Sequence, residues 1–194
     1  MALVKVKPTR IDQALANEIA QDTNSDIEQV AQILTWAADE HVLLVLAAAG
    51  WLYARLRQPG ARPVANHMLA VSLATAVLPH LLKSLFDQTR PDRLTVRGHA
   101  NGIPISGRSR DAFPSGHALH MGALASAAGL LKPVPRRLVR SLAVALSLTR
   151  VVVLAHWVSD VVAGFILGVG VERLFRPLTL GKPRQRPPAS RVRS

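Results

Sequence analysis

The segment Thr149–Asp160 reads TRVVVLAHWVSD and places an arginine, a histidine and an aspartate at fixed spacing among apolar residues. His156 and Asp160 are four residues apart, so on a helix their side chains would share one face. The carboxylate would then accept a hydrogen bond from one imidazole nitrogen and leave the other nitrogen free to react. Arg150 lies six residues before His156, and a charge inside an apolar run is costly unless it has a partner or a function. The segment therefore predicts a site for an anion, and phosphate is the expected anion.

Two further segments carry cations or a histidine that fit the same site. Lys83–Pro91 reads KSLFDQTRP and puts Lys83 and Arg90 seven residues apart, which is two helical turns and roughly one face. Pro114–His117 reads PSGH and stands before a long apolar run. A helix that starts there would point free N–H groups, including the amide of Gly116, towards an anion.

In chain order the three segments read K-x6-RP, PSGH and R-x5-H-x3-D. This pattern resembles the three-part signature of the type 2 phosphatidic acid phosphatase (PAP2) superfamily, which also includes the vanadium haloperoxidases. The resemblance runs from about Lys83 to about Gly168, and it departs from the family at Thr149, where the third motif usually begins with serine. Three motifs in the right order are specific, whereas each motif alone is a weak signal.

The resemblance implies a role for each motif residue in the hydrolysis of a phosphate ester. His156 would be the nucleophile that forms a phosphohistidine, and Asp160 would fix its tautomer. His117 would protonate the leaving oxygen and later activate water. Cations, a hydroxyl and a backbone amide would bind the phosphoryl oxygens, from Lys83, Arg90, Ser115, Gly116 and Arg150. The family requires neither a cofactor nor a metal.

The composition indicates a helical membrane protein. Of the 194 residues, 49% are apolar and only 4% are aromatic, and the charges gather in short clusters between apolar runs. The absence of cysteine excludes disulfides and thiolate metal sites. Although the formal net charge is +12, the scarcity of aromatic residues for base stacking argues against a nucleic-acid partner.

The apolar runs predict an all-α integral membrane protein with about five transmembrane helices, and the resemblance implies that these form a PAP2-like bundle. The predicted spans are residues 42–56, 64–82, 113–131, 138–155 and 157–175. Residues 1–40 hold seven of the twelve acids and predict an amphipathic segment, either at the membrane surface or packed on the spans as a solvated helix. Residues 41–176 form the predicted catalytic domain, and the Pro/Arg-rich residues 177–194 a disordered tail.

The basic loops alternate along the predicted spans. The loops at residues 55–63 and 132–140 and the tail from residue 173 are short and basic, so they are expected to be cytoplasmic. All three motifs then fall on the opposite face. We expect a multi-pass protein of the bacterial inner membrane with its active site on the periplasmic side.

An active site at a membrane face suits an amphiphile whose phosphate lies at the interface. The expected substrate is a lipid phosphate or a polyprenyl (isoprenyl) diphosphate, with membrane lipids around it. Phosphatidate, phosphatidylglycerophosphate and lipid A are all candidates, because the motif residues contact only the phosphate. The sequence gives no oligomeric state.

Other interpretations stay open at this point. Each motif alone has a structural explanation: a histidine–aspartate packing pair, cations that reach for a membrane interface, or a turn with a helix cap. A vanadate-dependent haloperoxidase would use the same oxyanion pocket, and vanadate-dependent halogenation would favour it. A non-catalytic membrane scaffold or transporter is the other alternative, and full biological activity of His156→Ala would favour that one.

Overall fold

The computed structural model of the chain describes residues 3–22, 25–37, 39–91 and 110–181. Its α-helices are α1 (Arg10–Asp22), α2 (Ser25–Ala37), α3 (Glu40–Arg57), α4 (Arg62–Leu85), α5 (Gly116–Ala127), α6 (Pro133–Val152) and α7 (Val158–Leu180). Short 3-10 turns occupy Pro59–Ala61 and Ala128–Leu130. Two strands, β1 (Val4–Lys5) and β2 (Phe86–Asp87), pair in parallel. The all-α fold class is therefore confirmed.

The helices follow the predicted spans with shifted ends. Helices α3–α7 correspond to the five predicted spans, and α1 and α2 to the predicted N-terminal segment. Among the described residues, the two stretches Gln29–Arg57 and Pro59–Leu85 are long and apolar enough to cross a membrane by length and composition. Helix α7 continues through Pro177 to Leu180, so the first residues of the predicted tail are helical. The tail from residue 182 lies outside the described residues.

Many large apolar side chains lie on the outside of the bundle, and its interior contains many alanines and polar residues beside a few large apolar ones. Leu81, Leu138 and Ile166 are about 60% exposed, at 59%, 61% and 64%. Ala118 and Ala143 are fully buried. This distribution suits a bundle in lipid, because hydrocarbon does not drive leucine inward and helices there associate through close contact of small residues.

The closest approach in the interior joins α5 to α7 through glycines. A Cβ added at Gly122 of α5 would overlap the Phe165 carbonyl oxygen, and one at Gly164 of α7 would overlap the Ser115 carbonyl oxygen. A Cβ at Gly168 would overlap the Leu119 carbonyl oxygen. The sequence predicts close helix packing at Gly164 and Gly168 from their small-xxx-small spacing, and the structure confirms it.

Gly168→Ala is expected to lower the free energy of unfolding by about 1–3 kcal/mol, because the added methyl group forces two backbones apart. The matched control is Gly170→Ala on the same helix, where an added Cβ meets no atom within 4 Å. We expect this control to be neutral or slightly stabilising, since glycine is a poor helix former. Thermal unfolding in detergent measures both variants, and equal unfolding temperatures would contradict the close contact.

A buried polar network joins α4, α5 and α7. The His67 ring bonds the Thr179 hydroxyl through Nδ1 (2.7 Å) and the Glu172 carboxylate through Nε2 (3.0 Å). Ser126 and Arg176 also donate to Glu172, and the Glu172 side chain is fully buried. His67 and Glu172 lie 105 positions apart and meet only through tertiary packing, so no local sequence pattern predicts this pair.

Candidate active site

Several helix ends meet around one cavity. The C-terminal ends of α2, α4 and α6 and the N-terminal ends of α3 and α5 surround a volume of about 310 Å³. The described residues that line it are Gln32, Thr35, Trp36, Asp39, Glu40, Pro79, His80, Lys83, Arg90, Gly116, His117, Arg150, Val153 and His156. All three sequence motifs contribute to this list. The fold therefore brings together segments that are far apart in the chain.

Most of the predicted site residues line this cavity, and two lie behind it. The lining residues among them are Lys83, Arg90, Gly116, His117, Arg150 and His156. Ser115 and Asp160 are fully buried and do not line the cavity. Both instead support the backbone that carries the lining residues.

His156 stands in the loop before α7, not on a helix as its spacing to Asp160 predicts. Its backbone N–H donates to the Arg150 carbonyl (3.1 Å), and its ring Nδ1 lies 2.7 Å from the carbonyl oxygen of Ala112. A carbonyl oxygen only accepts hydrogen bonds, so Nδ1 carries the proton and donates it. The lone pair is then on Nε2. This is the tautomer that a nucleophilic histidine needs.

The predicted hydrogen bond between His156 and Asp160 is absent, because Asp160 Oδ2 lies 3.8 Å from His156 Nδ1. This oxygen instead accepts from the backbone N–H of Trp157 at 3.0 Å. Asp160 occupies the first turn of α7, where a carboxylate satisfies the free N–H groups of the helix start. Asp160 therefore stabilises the turn that carries His156, and the Ala112 carbonyl fixes the tautomer.

Ser115 also differs from its predicted role as a phosphate ligand. Its side chain caps α5 by accepting a hydrogen bond from the Ala118 N–H (3.4 Å). Its own N–H donates to the backbone carbonyl of Asp160 (3.2 Å). The next residue, Gly116, is the one whose backbone faces the cavity at the helix start. The PSGH motif therefore supplies a capped helix terminus beside the His156 loop.

His117 follows in the first turn of α5. Its ring lies next to the backbone of Thr35 on α2. Its Nε2 is buried and has no hydrogen-bond partner among the described residues. Because His117 lines the cavity, this nitrogen is placed to exchange a proton with a ligand.

Asp111 organises two of the three predicted cations. Arg90 donates to Asp111 Oδ1 through Nε (3.1 Å) and Nη2 (2.9 Å), and Lys83 Nζ lies 3.6 Å from Asp111 Oδ2. Arg90 Nη1 also donates to the Ala155 carbonyl, next to His156 (2.9 Å). Sequence reasoning assigns no role to Asp111, which is one charge among many in a polar loop. The only sequence feature that could have indicated a role for Asp111 is its position three residues before Pro114, the start of the second motif.

Arg150 is the third cation, and it is buried in the last turn of α6 with 5% of its surface exposed. Its Nε has no hydrogen-bond partner among the described residues. A buried guanidinium N–H without an acceptor destabilises the fold unless an anion accepts its hydrogen bond. The cavity thus combines three cations with three histidines, and one of these, His156, has a free lone pair on Nε2. In the described part of the chain, no group of three or more His, Asp or Glu residues is arranged to hold a metal ion.

At the N-terminus, β1 and α1 contact the segments that carry the first and third motifs. β1 pairs with β2, which lies inside the first motif, and Leu3 N–H donates to the Leu85 carbonyl at 2.9 Å. On α1, Asp12 accepts from the Ser159 N–H (2.9 Å) and hydroxyl (2.8 Å), one residue before Asp160. The small residue Ala16 packs on Trp157. The segment therefore ties the first motif to the third.

Asp12→Asn is expected to lower the unfolding temperature near neutral pH. Burial alone would raise the pKa of Asp12, but hydrogen bonds from Ser159 and Thr9 outweigh it and hold the pKa below the usual 3.8. A depressed folded-state pKa stabilises the fold above the unfolded value of 3.8 and loses this contribution as the pH falls through the folded value. The difference from wild type should therefore shrink at acid pH.

Thermal unfolding in detergent across the acid range checks this expectation. Asp22→Asn, which changes an exposed carboxylate on the same helix, is the control and should show no such pH dependence. A constant difference between wild type and Asp12→Asn at all pH values would argue against the role of the charge.

Known proteins resemble this chain in both sequence and fold. The profile of the PAP2 superfamily matches residues 64–182, which include all three motifs. A lipid A 1-phosphatase of Rhizobium etli is 30% identical over 162 residues, which cover 77% of this chain and 70% of that protein. A lipid A 1-phosphatase of Rhizobium johnstonii is 40% identical over 95 residues, which cover 48% of this chain and only 39% of that protein.

Two crystal structures share the architecture. LpxE of Aquifex aeolicus superposes with a TM-score of 0.69 at 18% identity and covers 89% of this chain and 98% of its own. A transmembrane PAP2-type phosphatidylglycerolphosphate phosphatase of Bacillus subtilis superposes with a TM-score of 0.61 at 23% identity, over 91% and 88% of the two chains. At these identities the superpositions show a common helical membrane fold.

Proposed function

Because this chain belongs to the PAP2 superfamily, we propose that it is a membrane phosphatase that removes phosphate from a lipid through a phosphohistidine intermediate. One observation carries the proposal most strongly. The Ala112 carbonyl holds His156 in the tautomer whose Nε2 bears the lone pair, in a cavity that also contains Lys83, Arg90 and Arg150. A nucleophile among cations that neutralise phosphoryl oxygens is what phosphoryl transfer needs.

In the first step, His156 Nε2 attacks the phosphorus and forms an N–P bond. The ester P–O bond breaks, and its electron pair stays on the leaving oxygen. Protonated His117 donates its proton to that oxygen, so the lipid leaves as an alcohol. Lys83, Arg90 and Arg150, with the Gly116 N–H, stabilise the charge on the other phosphoryl oxygens.

In the second step, water attacks the phosphorus of the phosphohistidine. His117, now neutral, accepts a proton from this water, which restores its starting state. The N–P bond breaks, its electron pair returns to His156 Nε2, and inorganic phosphate leaves. Every proton transfer in this cycle uses side chains of the chain itself.

The proposed substrate is a lipid phosphate, and lipid A phosphorylated at the 1-position is the first candidate. The two curated relatives above are lipid A 1-phosphatases, and one of them is 30% identical over most of both chains. A polyprenyl diphosphate would fit the same phosphate cavity and is kept as a second candidate for direct comparison.

We further propose that the cavity opens on the periplasmic side of the bacterial inner membrane. Basic side chains gather at the opposite end of the helices, as Arg55, Arg57, Arg62, Arg136, Arg137, Arg140, Arg173 and Arg176. Cytoplasmic ends of spans carry an excess of such residues. Helix ends that carry the cavity would then face the periplasm.

The test is phosphate release by the purified protein in detergent with EDTA. The panel contains lipid A, phosphatidylglycerophosphate, phosphatidate, undecaprenyl diphosphate and an aryl phosphate. We expect turnover of at least one lipid, and a rate with EDTA equal to the rate with added magnesium. If the protein hydrolyses none of the panel members, the proposal is contradicted. Halogenation after addition of vanadate would favour a haloperoxidase.

A further inference from the structure

His120 is the second histidine of α5, and the reaction above does not use it. It lies one turn after His117 and is only 4% exposed. Its Nδ1 lies 2.8 Å from the hydroxyl of Thr75 on α4. Its Nε2 is buried and has no hydrogen-bond partner in the described part of the chain.

The surroundings of Thr75 determine the tautomer of His120. The Thr75 hydroxyl lies 2.9 Å from the Val71 carbonyl, and because a carbonyl only accepts, the single hydroxyl proton is directed there. The hydroxyl oxygen is then an acceptor for an N–H on Nδ1. His120 Nε2 therefore carries a lone pair and can accept a hydrogen bond.

The group opposite His120 Nε2 is also an acceptor. Glu40 Oε2 lies 4.0 Å away, beyond hydrogen-bond distance, and Glu40 Oε1 lies 3.6 Å from His80. Glu40 stands in the first turn of α3 and lines the phosphate cavity. A carboxylate beside a phosphate site repels the phosphate, so its presence indicates a ligand that offers a hydrogen-bond donor.

The space between the Glu40 carboxylate and His120 Nε2 lies where a charged cavity meets an apolar groove. Glu40 belongs to the cavity that contains Lys83 and Arg150. His120 belongs to a groove of about 460 Å³ between α3, α4 and α5, whose lining includes Leu46 and Met68. A lipid with its phosphate in the cavity and a chain in the groove would place the unit that joins them in this gap.

We propose that Glu40 and His120 bind a hydrogen-bond donor, a hydroxyl or amide N–H, that the substrate carries between its phosphate and its hydrocarbon chains. This inference rests on the proposed function and narrows its substrate class. A phosphorylated sugar lipid carries such donors next to the phosphate. A polyprenyl phosphate and a fully acylated glycerol phosphate carry none, and we expect both to be poorer substrates.

The experiment compares a matched pair of substrates, lysophosphatidate with a free hydroxyl and its 2-deoxy analogue. For the wild-type protein we expect kcat/KM to favour the hydroxyl substrate by about 10-fold to 100-fold, the effect of one hydrogen bond to a charged group. In Glu40→Gln and His120→Phe this ratio should fall towards one, mainly through a higher KM for the hydroxyl substrate.

Met68→Ala is the control variant, because it changes the apolar groove and should affect both substrates alike, so that the ratio is retained. A wild-type ratio of one, with both substrates hydrolysed, would overturn the donor site and leave the phosphatase function standing. Glu40 and His120 variants that keep the wild-type ratio would also overturn it and identify the pair as structural. Release of phosphate from neither substrate would overturn the function and the donor site together.

Discussion

His156→Ala is expected to lower kcat for phosphate release on the order of 10⁵-fold, because it removes the group that forms the bond to phosphorus. In the structure the Ala112 carbonyl directs the proton of His156 to Nδ1, so the lone pair on Nε2 is the one that the substitution removes. The measurement is phosphate release from a lipid phosphate in detergent micelles.

A second measurement separates loss of the nucleophile from loss of the fold. With ³²P-labelled substrate, the wild-type protein should trap an acid-labile, base-stable phosphoenzyme, and His156→Ala should trap none. His41→Ala is the control, because that side chain is 84% exposed and does not line the cavity. A labelled phosphoenzyme that persists in His156→Ala would assign the nucleophile to another residue.

His117→Ala is expected to slow the hydrolysis of alkyl phosphates by about 10²-fold to 10⁴-fold, the usual contribution of a general acid. The loss should be much smaller for bond cleavage in an aryl phosphate, whose leaving oxygen needs no proton. The structure places His117 Nε2 in the cavity without a partner among the described residues, which suits this exchange of protons.

The two steps of the reaction, formation and hydrolysis of the phosphohistidine, can be tested separately in this variant. Because the base for water is also missing, the aryl substrate should give a burst of phenol equal to the enzyme concentration, followed by slow turnover. Arg176→Gln changes a residue of the buried network at the far end of α7 and should show no burst. Equal slowing of both substrate types without a burst would count against His117 as the acid.

Local sequence was enough to predict the helical class, the five core helices and six of the residues that line the cavity. An apolar run of helical length is visible without knowledge of its neighbours. Lys83, His117 and Arg150 lie in the first or last turn of a core helix, and the packing of these helices brings them to one cavity. The close packing at Gly164 and Gly168 was predictable for the same reason, since its spacing repeats along one helix.

The partners of the site residues depended on contacts between distant segments. The spacing of His156 and Asp160 predicts a shared helix face, yet the chain leaves the helix after Val152, and the Ala112 carbonyl 44 residues away receives the ring proton. The contacts of Asp111 with Arg90 and of Glu40 with His120 likewise join segments that are far apart in the chain. Hydrogen bonds are short and directional, so only the folded arrangement of backbones selects which donor meets which acceptor.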